Sequence, residues 1–403
     1  MWKLALRNVL RHKARTGMTL LAIVAGVTGL ILSGGFVQDI FKQLGEVLIH
    51  SQSGHMQVAI AGYYEKGARS PEKFLFDDRA SIEAKIRSLP QTDDVMGRLF
   101  FSGLLNNGRS DQPIIGEGIE PQRENRLGTG LVIASGRQLK DADANGMLVG
   151  HGLARALKLK AGDWATVVIN TPDGALNSLE FQVIGIFQTF SKDYDAHAVR
   201  IPLSAAQELL ATPGINNLVV SLKRTEDTEQ VVETLGSQLS GQKMEVNSWL
   251  KLNDFYSKTV EMYDAQFGML RIIILLMVLL SVANSVNMSV FERVGEFGTM
   301  MALGNRTRRV MGLILAENAL LGLAGAVLGT ALGVLLALAI SAVGIPMPPP
   351  PNADLPYTAR ISLVPSVILG AFVVGFAATV LAAVLPAAKV RRIPVVDALR
   401  QSI

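Results

Sequence analysis

Long runs without charged side chains are the first pattern in this chain. Four of them are long enough to cross a bilayer: residues 16–38, 272–291, 318–353 and 361–388. About 20 apolar helical residues span the hydrocarbon core of roughly 30 Å. The pattern therefore predicts four transmembrane helices, placed at 17–38, 269–291, 310–342 and 362–388.

The segment at 39–268, between the first and second predicted helices, alternates between strand and helix patterns. Strand, helix and strand follow one another over 54–60, 78–89 and 94–106, and again over 217–223, 227–239 and 243–249. Two β-α-β units around an insertion at about 110–215 predict a split α/β, porter-like domain. The insertion has a β-rich pattern, with strand candidates at Ile114–Ile119, Ala165–Ile169 and Phe181–Phe187.

Two helical patterns flank this domain. One continues the first apolar stretch through Ile40, Leu44, Val47 and Leu48, and the other repeats at a coiled-coil spacing through Tyr256, Val260, Tyr263 and Phe267. We interpret them as stalk helices, and the second set as the lining of a cavity beside the membrane. The alternative is that each stretch only packs on its own domain.

Positive charge clusters next to the apolar stretches. Basic residues without acidic ones occupy 1–16, further arginines follow the second stretch, and the tail at 389–403 is basic, whereas the loop at 343–361 holds one Arg and one Asp. The positive-inside rule then predicts cytoplasmic termini, a cytoplasmic segment at 292–309 and an extracytoplasmic domain at 39–268.

The first apolar stretch has two interpretations. A basic start fits a cleaved signal peptide, but the uncharged run of 23 residues is long and no A-x-A site follows it, which favours an uncleaved anchor. Before it, the alternation of Trp2, Leu6, Val9 and Leu10 with basic residues predicts an amphipathic helix lying in the inner membrane interface.

The composition is typical of a membrane protein and excludes few other classes of protein. Charged residues make up 18% of the chain, against about 25% in soluble domains. The net charge of +4 comes mainly from residues beside the membrane stretches and does not indicate a nucleic-acid partner. The absence of cysteine neither supports nor opposes export.

The sequence contains no complete catalytic or metal-binding motif. Asp141, Asp143 and Asn145 begin like an EF-hand loop, but the twelfth position is Gly152 rather than Glu, so a turn is expected. The five histidines do not form a metal motif, and no GxxxxGK[ST] phosphate loop occurs. We therefore expect neither an enzyme nor a bound cofactor. If ATP drives the protein, ATP and Mg would bind to a separate subunit.

Two features of the third predicted transmembrane helix, at 310–342, have alternative interpretations. Glu317 lies eight residues beyond Arg309, so it either marks a functional site or extends back to the membrane interface, which we favour. Gly325, Gly329 and Gly333 form overlapping GxxxG motifs, which predict a close helix contact within one chain or between two.

Three segments resemble the FtsX-like ABC transporter permease family. They are LALRNVLRHKARTGMTLLAIVAGV at 4–27, SVFERVGEFGTMMALGN at 289–305 and PAAKVRRIPVVDALR at 386–400. The α/β pattern of 39–268 is similar to the outer domain of the MacB and LolC/LolE type. The sequence departs from the family's pattern at Gly295 and Met301, where arginine is common, and at Ile393–Val395, where the proline is displaced by one position.

The resemblance implies mechanotransmission, in which ATPase subunits drive the outer domains through stalks. It implies an ABC ATPase as partner, a second permease copy or paralogue, contact with lipid and a periplasmic adaptor or carrier. The ATPase-docking residues would be Glu292, Arg293, Glu296, Gly298, Met300, Leu303 and Gly304. The alternative for this segment is an ordinary amphipathic loop helix.

The function that we rank first among those the resemblance implies is transport of a lipoprotein, lipidic or amphiphilic substrate from the outer leaflet or periplasm. The alternative is a signalling scaffold that activates a cell-wall hydrolase, as in FtsX proteins, whose outer domains are smaller than 39–268. Substrate identity, direction of movement, and homodimer or heterodimer remain open.

Overall fold

The computed structural model of the chain describes residues 2–11, 13–67, 71–128, 131–189, 191–348 and 357–390. It divides into two compact units. The helical unit comprises the residues up to Lys42, Val260–Pro346 and those from Thr358 onward; the α/β unit comprises Gln43–Thr259 with the segment from Met347 to Tyr357. Most of the basic tail predicted at 389–403, and part of the loop at 343–361, lie outside the described residues.

The described residues form the following helices: α1 Trp2–Arg11, α2 Lys13–Leu48, α3 Tyr63–Lys66, α4 Arg79–Arg87, α5 Pro121–Leu127, α6 His151–Leu157, α7 Lys192–Asp195, α8 Leu203–Leu210, α9 Thr228–Leu239, α10 Trp249–Leu252, α11 Asp254–Glu292, α12 Val294–Ala302, α13 Thr307–Val343 and α14 Pro365–Lys389. A π-helix, Ile49–Ser53, continues α2. Short 3-10 turns occupy Pro71–Lys73, Thr225–Asp227 and Ser240–Gln242.

Among the described residues, four helices are long and apolar enough to cross a membrane, which confirms the predicted number. They are α2, α11, α13 and α14. Both α2 and α11 extend well beyond the predicted spans, because the heptad-like and amphipathic stretches beside them continue the same helices. The amphipathic segment at 2–12 is helical as α1, although the side chains of Trp2, Leu6 and Leu10 lie outside the described residues.

The glycine motifs of α13 pack on α2 within the same chain. A Cβ atom at Gly325 would lie 2.7 Å from Ile23 Cγ2, and one at Gly329 would lie 2.8 Å from Val27 Cβ. Thr28 Oγ1 donates a hydrogen bond to the Gly329 carbonyl at 3.0 Å. Gly333 meets Ile31 in the same way, at 3.0 Å. The predicted close crossing is thus an intrachain contact between α13 and α2.

Ten strands build the α/β unit: β1 Met56–Ile60, β2 Thr92–Asn106, β3 Asp111–Ile119, β4 Val132–Gly136, β5 Gly146–Gly150, β6 Trp164–Asn170, β7 Leu176–Gln188, β8 Ala198–Pro202, β9 Asn217–Leu222 and β10 Met244–Ser248. Their order is β10-β1-β9-β2-β3-β8-β5-β7-β4, with β6 pairing with β2 and β7. Two further short strands, β11 Ile345–Met347 and β12 Tyr357–Ala359, pair separately.

The two repeats predicted from the sequence interleave in one antiparallel sheet. Strand β1 lies between β10 and β9, and β9 pairs with the first half of β2, so each β-α-β unit contributes alternate strands. Helices α4 and α9 are the connecting helices of these units, and their buried Ile82, Ile86 and Leu235 belong to the core. This is the ferredoxin-like arrangement of a split β-α-β domain.

The insertion closes into a ring of strands. Pairings run from β2 to β3, β8, β5, β7 and β6, and back to β2. Strand β2 is shared, since Thr92–Arg98 pair with β9 of the first sheet and Leu99–Asn106 pair with β3 of the ring. The sequence pattern indicated β3, β6 and β7 but not the ring closure, because strands paired far apart in sequence leave no local signal.

The EF-hand-like segment forms a turn. Both carboxylate oxygens of Asp143 receive hydrogen bonds from Arg137, at 2.6 and 2.8 Å. The side chain of Asp141 instead accepts the backbone N–H of Gln122 at 3.2 Å.

Candidate coupling site

The segment between α11 and α13 forms a short helix with one buried and one exposed side. Val294 and Phe297 are buried on α12, whereas Leu303 just beyond it is 80% exposed. Gly304 ends the segment at a φ of 89°, a left-handed conformation that glycine adopts without strain. The segment therefore packs on the helical unit through one face and presents the other to solvent.

Arg293 fixes this segment to α13. Its Nη1 donates to Glu317 Oε2 at 2.8 Å, and its Nε donates to Glu296 Oε2 at 2.9 Å. The guanidinium carbon also lies 5.0 Å from the centre of the Phe297 ring, in cation–π contact. Side-chain exposure is 7% for Arg293 and 10% for Glu317, so the pair is buried.

Glu317 is the centre of a network that also includes α1. Asn8 donates from Nδ2 to Glu317 Oε1 at 2.6 Å, and so both oxygens of the carboxylate are engaged. The expectation that Glu317 extends to the membrane interface is wrong. A neighbouring arginine neutralises it inside the protein, because a buried carboxylate is stable only when its charge and lone pairs are matched.

A small polar cavity of about 40 Å³ adjoins the network. Besides Asn8, Arg293 and Glu317, it is lined by hydroxyl and amide side chains, among them Thr16, Thr19, Ser285, Ser289 and Asn318. Thr19 and Ser285 share a hydrogen bond of 2.5 Å between α2 and α11. Polar groups from four helices, α1, α2, α11 and α13, thus meet at one end of the helical unit, next to α12.

The predicted docking residues separate into two groups. Glu292, Leu303 and Gly304 are exposed, Glu296 is 47% exposed in its side chain and Met300 is half-buried. Arg293 and Gly298 are buried and cannot form a docking surface in this conformation. Arg293 instead positions the helix that carries the exposed residues. On its exposed side, Glu296 also pairs with Arg11 of α1 at 3.6 Å.

The predicted stalk residues also separate. Tyr256 is buried, with its ring 5.0 Å from that of Trp249, so it packs on its own domain and does not line a cavity. Tyr263 is 40% exposed and contacts Phe41 of α2 and Phe267 of α11, with ring centres 6.0 and 6.5 Å away. Val260 is half-buried.

Sequence reasoning missed Asn8 and the hydroxyl groups of the small cavity. Asn8 stands in a basic segment where an amide resembles any solvated residue. Ser285 and Ser289 interrupt an apolar helix at a spacing of four residues, which places them on one face. That spacing was the available signal.

Comparison with known proteins places this arrangement in a family. Residues 16–238 match the family model described as MacB-like periplasmic core domain, and residues 268–395 match the FtsX-like permease C-terminal model. The first match covers more than half of the chain and the second covers α13, α14 and most of α11.

Several known proteins are similar to this chain at low sequence identity. An uncharacterised ABC transporter permease of Methanocaldococcus jannaschii is 25% identical over 98% of this chain and 96% of its own length. The lipoprotein-releasing system transmembrane protein LolE of Haemophilus influenzae is 21% identical over 64% of each chain. The pyoverdine export ATP-binding/permease protein PvdT of Pseudomonas fluorescens is 24% identical over 96% of this chain but 57% of its own length.

The two family matches lie in order along one chain, and four helices capable of spanning a membrane accompany them. The chain therefore belongs to the family of ABC transporter permeases that combine a MacB-like periplasmic core domain with an FtsX-like permease domain.

Proposed function

We propose that the chain is the non-catalytic permease subunit of an ABC transporter and relays ATPase motion to its α/β unit. The observation that supports this most is the buried Arg293–Glu317 pair with Asn8. It fastens the exposed segment after α11 to the helix bundle, so a force applied to that segment would reach the membrane helices without being lost in a mobile loop.

The driving ATPase is proposed as a separate subunit, which would carry ATP and Mg. PvdT has an ATP-binding part in its name, and this chain covers only 57% of that protein. The exposed Leu303 and Glu296 are the proposed contacts. An apolar side chain next to a carboxylate suits a groove with a basic rim.

A second permease copy or paralogue is the further partner proposed. Half of the apolar window of α2 is buried within the chain, but only 17% of that of α11. Exposed Met269, Ile273 and Met277 of α11 would face lipid or this second copy. In this arrangement both termini and α12 are cytoplasmic and the α/β unit is extracytoplasmic, in the inner membrane of a bacterium.

The proposed substrate is lipidic or amphiphilic, such as a lipoprotein. Tyr263 and the half-buried Phe267 give an aromatic surface with a polar tip, and the buried Phe41 packs behind Tyr263. Such a surface suits an acyl chain attached to a polar group. The relatives carry both kinds of name, since LolE is named for lipoprotein release and PvdT for pyoverdine export. An adaptor or carrier outside the membrane would receive the cargo.

Photocrosslinking distinguishes the substrate classes. A crosslinkable residue at position 263 should capture acylated cargo in the nucleotide-free complex and release it when ATP is trapped. The same residue at position 256 is the matched control, because Tyr256 is buried and should capture no cargo. Capture only of the second permease at 263, in both states, would reject a lipidic cargo and favour soluble-substrate export or hydrolase signalling.

A further inference from the structure

The far end of α2 is held by two buried arginines of the α/β unit. After Leu48 the helix continues as the π-helix Ile49–Ser53, whose Ile49, Ser51 and Ser53 are buried. Arg200 Nη2 donates to the Ser51 carbonyl at 3.0 Å, and Arg98 Nη1 donates to the next carbonyl, that of Gln52. A helix ends with unpaired carbonyls and partial negative charge, so two guanidinium groups there are well placed.

Two further carbonyls of this turn are also engaged. Gly54 N–H donates to the Ile49 carbonyl at 2.9 Å, and Gln57 donates from Nε2 to the Ser53 carbonyl at 2.9 Å. Gly54 has a φ of 63°, and a Cβ atom there would lie 2.4 Å from Val219 Cγ1. The chain therefore leaves the helix in a tightly enclosed turn, not in a flexible linker.

Each arginine is fixed by a carboxylate behind it. Arg98 forms a bidentate pair with Glu124, with distances of 2.5 and 2.9 Å. Arg200 Nε lies 3.0 Å from Glu117 Oε2, and Tyr194 donates its hydroxyl to Glu117 Oε1 at 2.6 Å. All four charged side chains are at most 6% exposed. Burial opposes the ionised form of Glu117, but Arg200 and Arg98 outweigh it and lower its pKa.

The two arginines come from the two halves of the α/β unit. Arg98 is the last residue of β2 that pairs with β9 of the ferredoxin-like sheet. Arg200 lies on β8 and faces Glu117 on β3, both strands of the ring. The end of α2 is thus attached to the sheet and to the ring separately, each through one charged side chain.

We propose that Arg98 and Arg200 are the positioning residues through which movement of α2 is passed to both halves of the α/β unit. This inference rests on the proposed relay function. Ion pairs alone would stabilise the unit without contacting this helix. Here Arg98 binds its carboxylate through Nε and Nη2 and the helix carbonyl through Nη1. Arg200 places Nε at its carboxylate and donates from Nη2 to the helix carbonyl. The double use is the feature that a purely stabilising pair does not need.

Lysine substitution separates the two roles. The double variant Arg98→Lys/Arg200→Lys keeps both positive charges beside Glu124 and Glu117, so the buried carboxylates remain neutralised. A single ammonium group lacks the planar fork that contacts carboxylate and carbonyl together. Arg123→Lys is the matched control. Arg123 pairs with Glu83 and Glu120, and among the described residues it makes no hydrogen bond or ion pair with α2 or with Ile49–Ser53.

The experiment compares movement at the two ends of the joint. The complex with its ATPase, containing two copies of this chain, is placed in nanodiscs with spin labels at Gln43→Cys or at Asp173→Cys, since the chain has no natural cysteine. Residue 43 reports movement of α2, and residue 173 reports movement of the exposed turn between β6 and β7. Label-to-label distances are measured without nucleotide and with trapped ATP.

We expect both distances to change in the wild type and in Arg123→Lys. In the double lysine variant the change at 43 should persist and the change at 173 should fall by at least half. An unaltered change at 173 would overturn the inference. Absence of any change at 43 in the wild type would instead overturn the relay function, so the two failures are distinguishable.

Thermal unfolding of the same variants provides the second measurement. If the double lysine variant unfolds at a much lower temperature, the single variants Arg98→Lys and Arg200→Lys are labelled instead. A loss at 173 in a variant with wild-type unfolding temperature supports a positioning role, whereas loss only in destabilised variants contradicts it.

Discussion

Removing the carboxylate of Glu317 should detach α12 from the helix bundle. In Glu317→Ala, Arg293 keeps its buried position but loses the partner 2.8 Å away, and Asn8 loses its acceptor. Breaking one side of a buried ion pair costs about 3–5 kcal/mol when the remaining charge is left without compensation. Arg293 keeps the half-exposed Glu296 at 2.9 Å, so the lower end of that range, about 3 kcal/mol, is expected. Glu317→Gln keeps an amide oxygen for Arg293 and should cost less.

This free-energy cost corresponds to a larger population of molecules in which α12 is locally open. A cost of about 3 kcal/mol corresponds to roughly a hundredfold increase in the open population, since about 1.4 kcal/mol is a factor of ten. Amide hydrogen exchange of the peptide containing Val294–Ala302, measured by mass spectrometry on the full chain in detergent, should therefore accelerate by at least tenfold. Glu261→Ala, which removes an exposed carboxylate from α11, is the control and should leave this peptide unchanged.

A double-mutant cycle tests whether the effect belongs to the pair. Arg293→Met fills similar volume without charge, so Glu317→Ala should cost much less in the Arg293→Met background than in the wild type. Exchange in α12 that does not respond to Glu317→Ala, or effects of the two substitutions that simply add, would refute the reasoning.

Three further results are expected. Gly329→Leu should lower the unfolding temperature and the yield of folded chain, because its side chain would collide with α2. Gly370→Leu is the control and should have little effect, since a Cβ atom there meets no atom within 4 Å. Equal unfolding temperatures and yields for the two variants would contradict the packing role. Burial first, and then a neighbouring histidine, lower the pKa of His55 from 6.5 to about 4. The unfolded chain binds a proton at His55 at higher pH than the folded chain does, so the free energy of unfolding should fall as pH drops from 6.5 toward 4. His55→Asn should weaken this pH dependence. His197→Asn, at an exposed site, should leave it unchanged. A cysteine at Asp173 should react with an impermeant reagent only from the extracytoplasmic side, and labelling from the cytoplasm alone would reject the topology.

Structural features that depend on neighbouring residues in the sequence were predictable. The four apolar helices follow from uncharged runs, and the β-α-β repeats follow from alternation of strand and helix periods. The glycines of α13 indicated a close crossing because small residues at a spacing of four form one face, but their partner α2 is more than 290 residues away and only the structure identifies it.

Buried charges were the features that sequence could not assign. Arg98, Glu117 and Arg200 read as ordinary solvated residues, because a charged residue is usually exposed and nothing local reveals its partner. Glu317 was recognised as unusual from its depth in an apolar helix, yet its environment was predicted wrongly. Its partner Arg293 lies 24 residues earlier, beyond a helix break, and had been assigned to the docking surface.

In the proposed function, force enters the chain through exposed residues of the segment after α11, among them Glu296 and Leu303. Gly298 is buried, so a substitution there would disturb packing and would not test a surface contact. Leu303 is 80% exposed and makes the cleaner site, and Leu176 of the α/β unit, 75% exposed, is its matched control.

The most direct measurement is the permease-stimulated ATP hydrolysis of the purified complex, with Leu303→Asp compared with Leu176→Asp. A charge in an apolar docking contact should abolish most of the stimulation, while the control at the distant turn should retain it. Wild-type stimulation in Leu303→Asp, with the permease folded and inserted, would contradict the account.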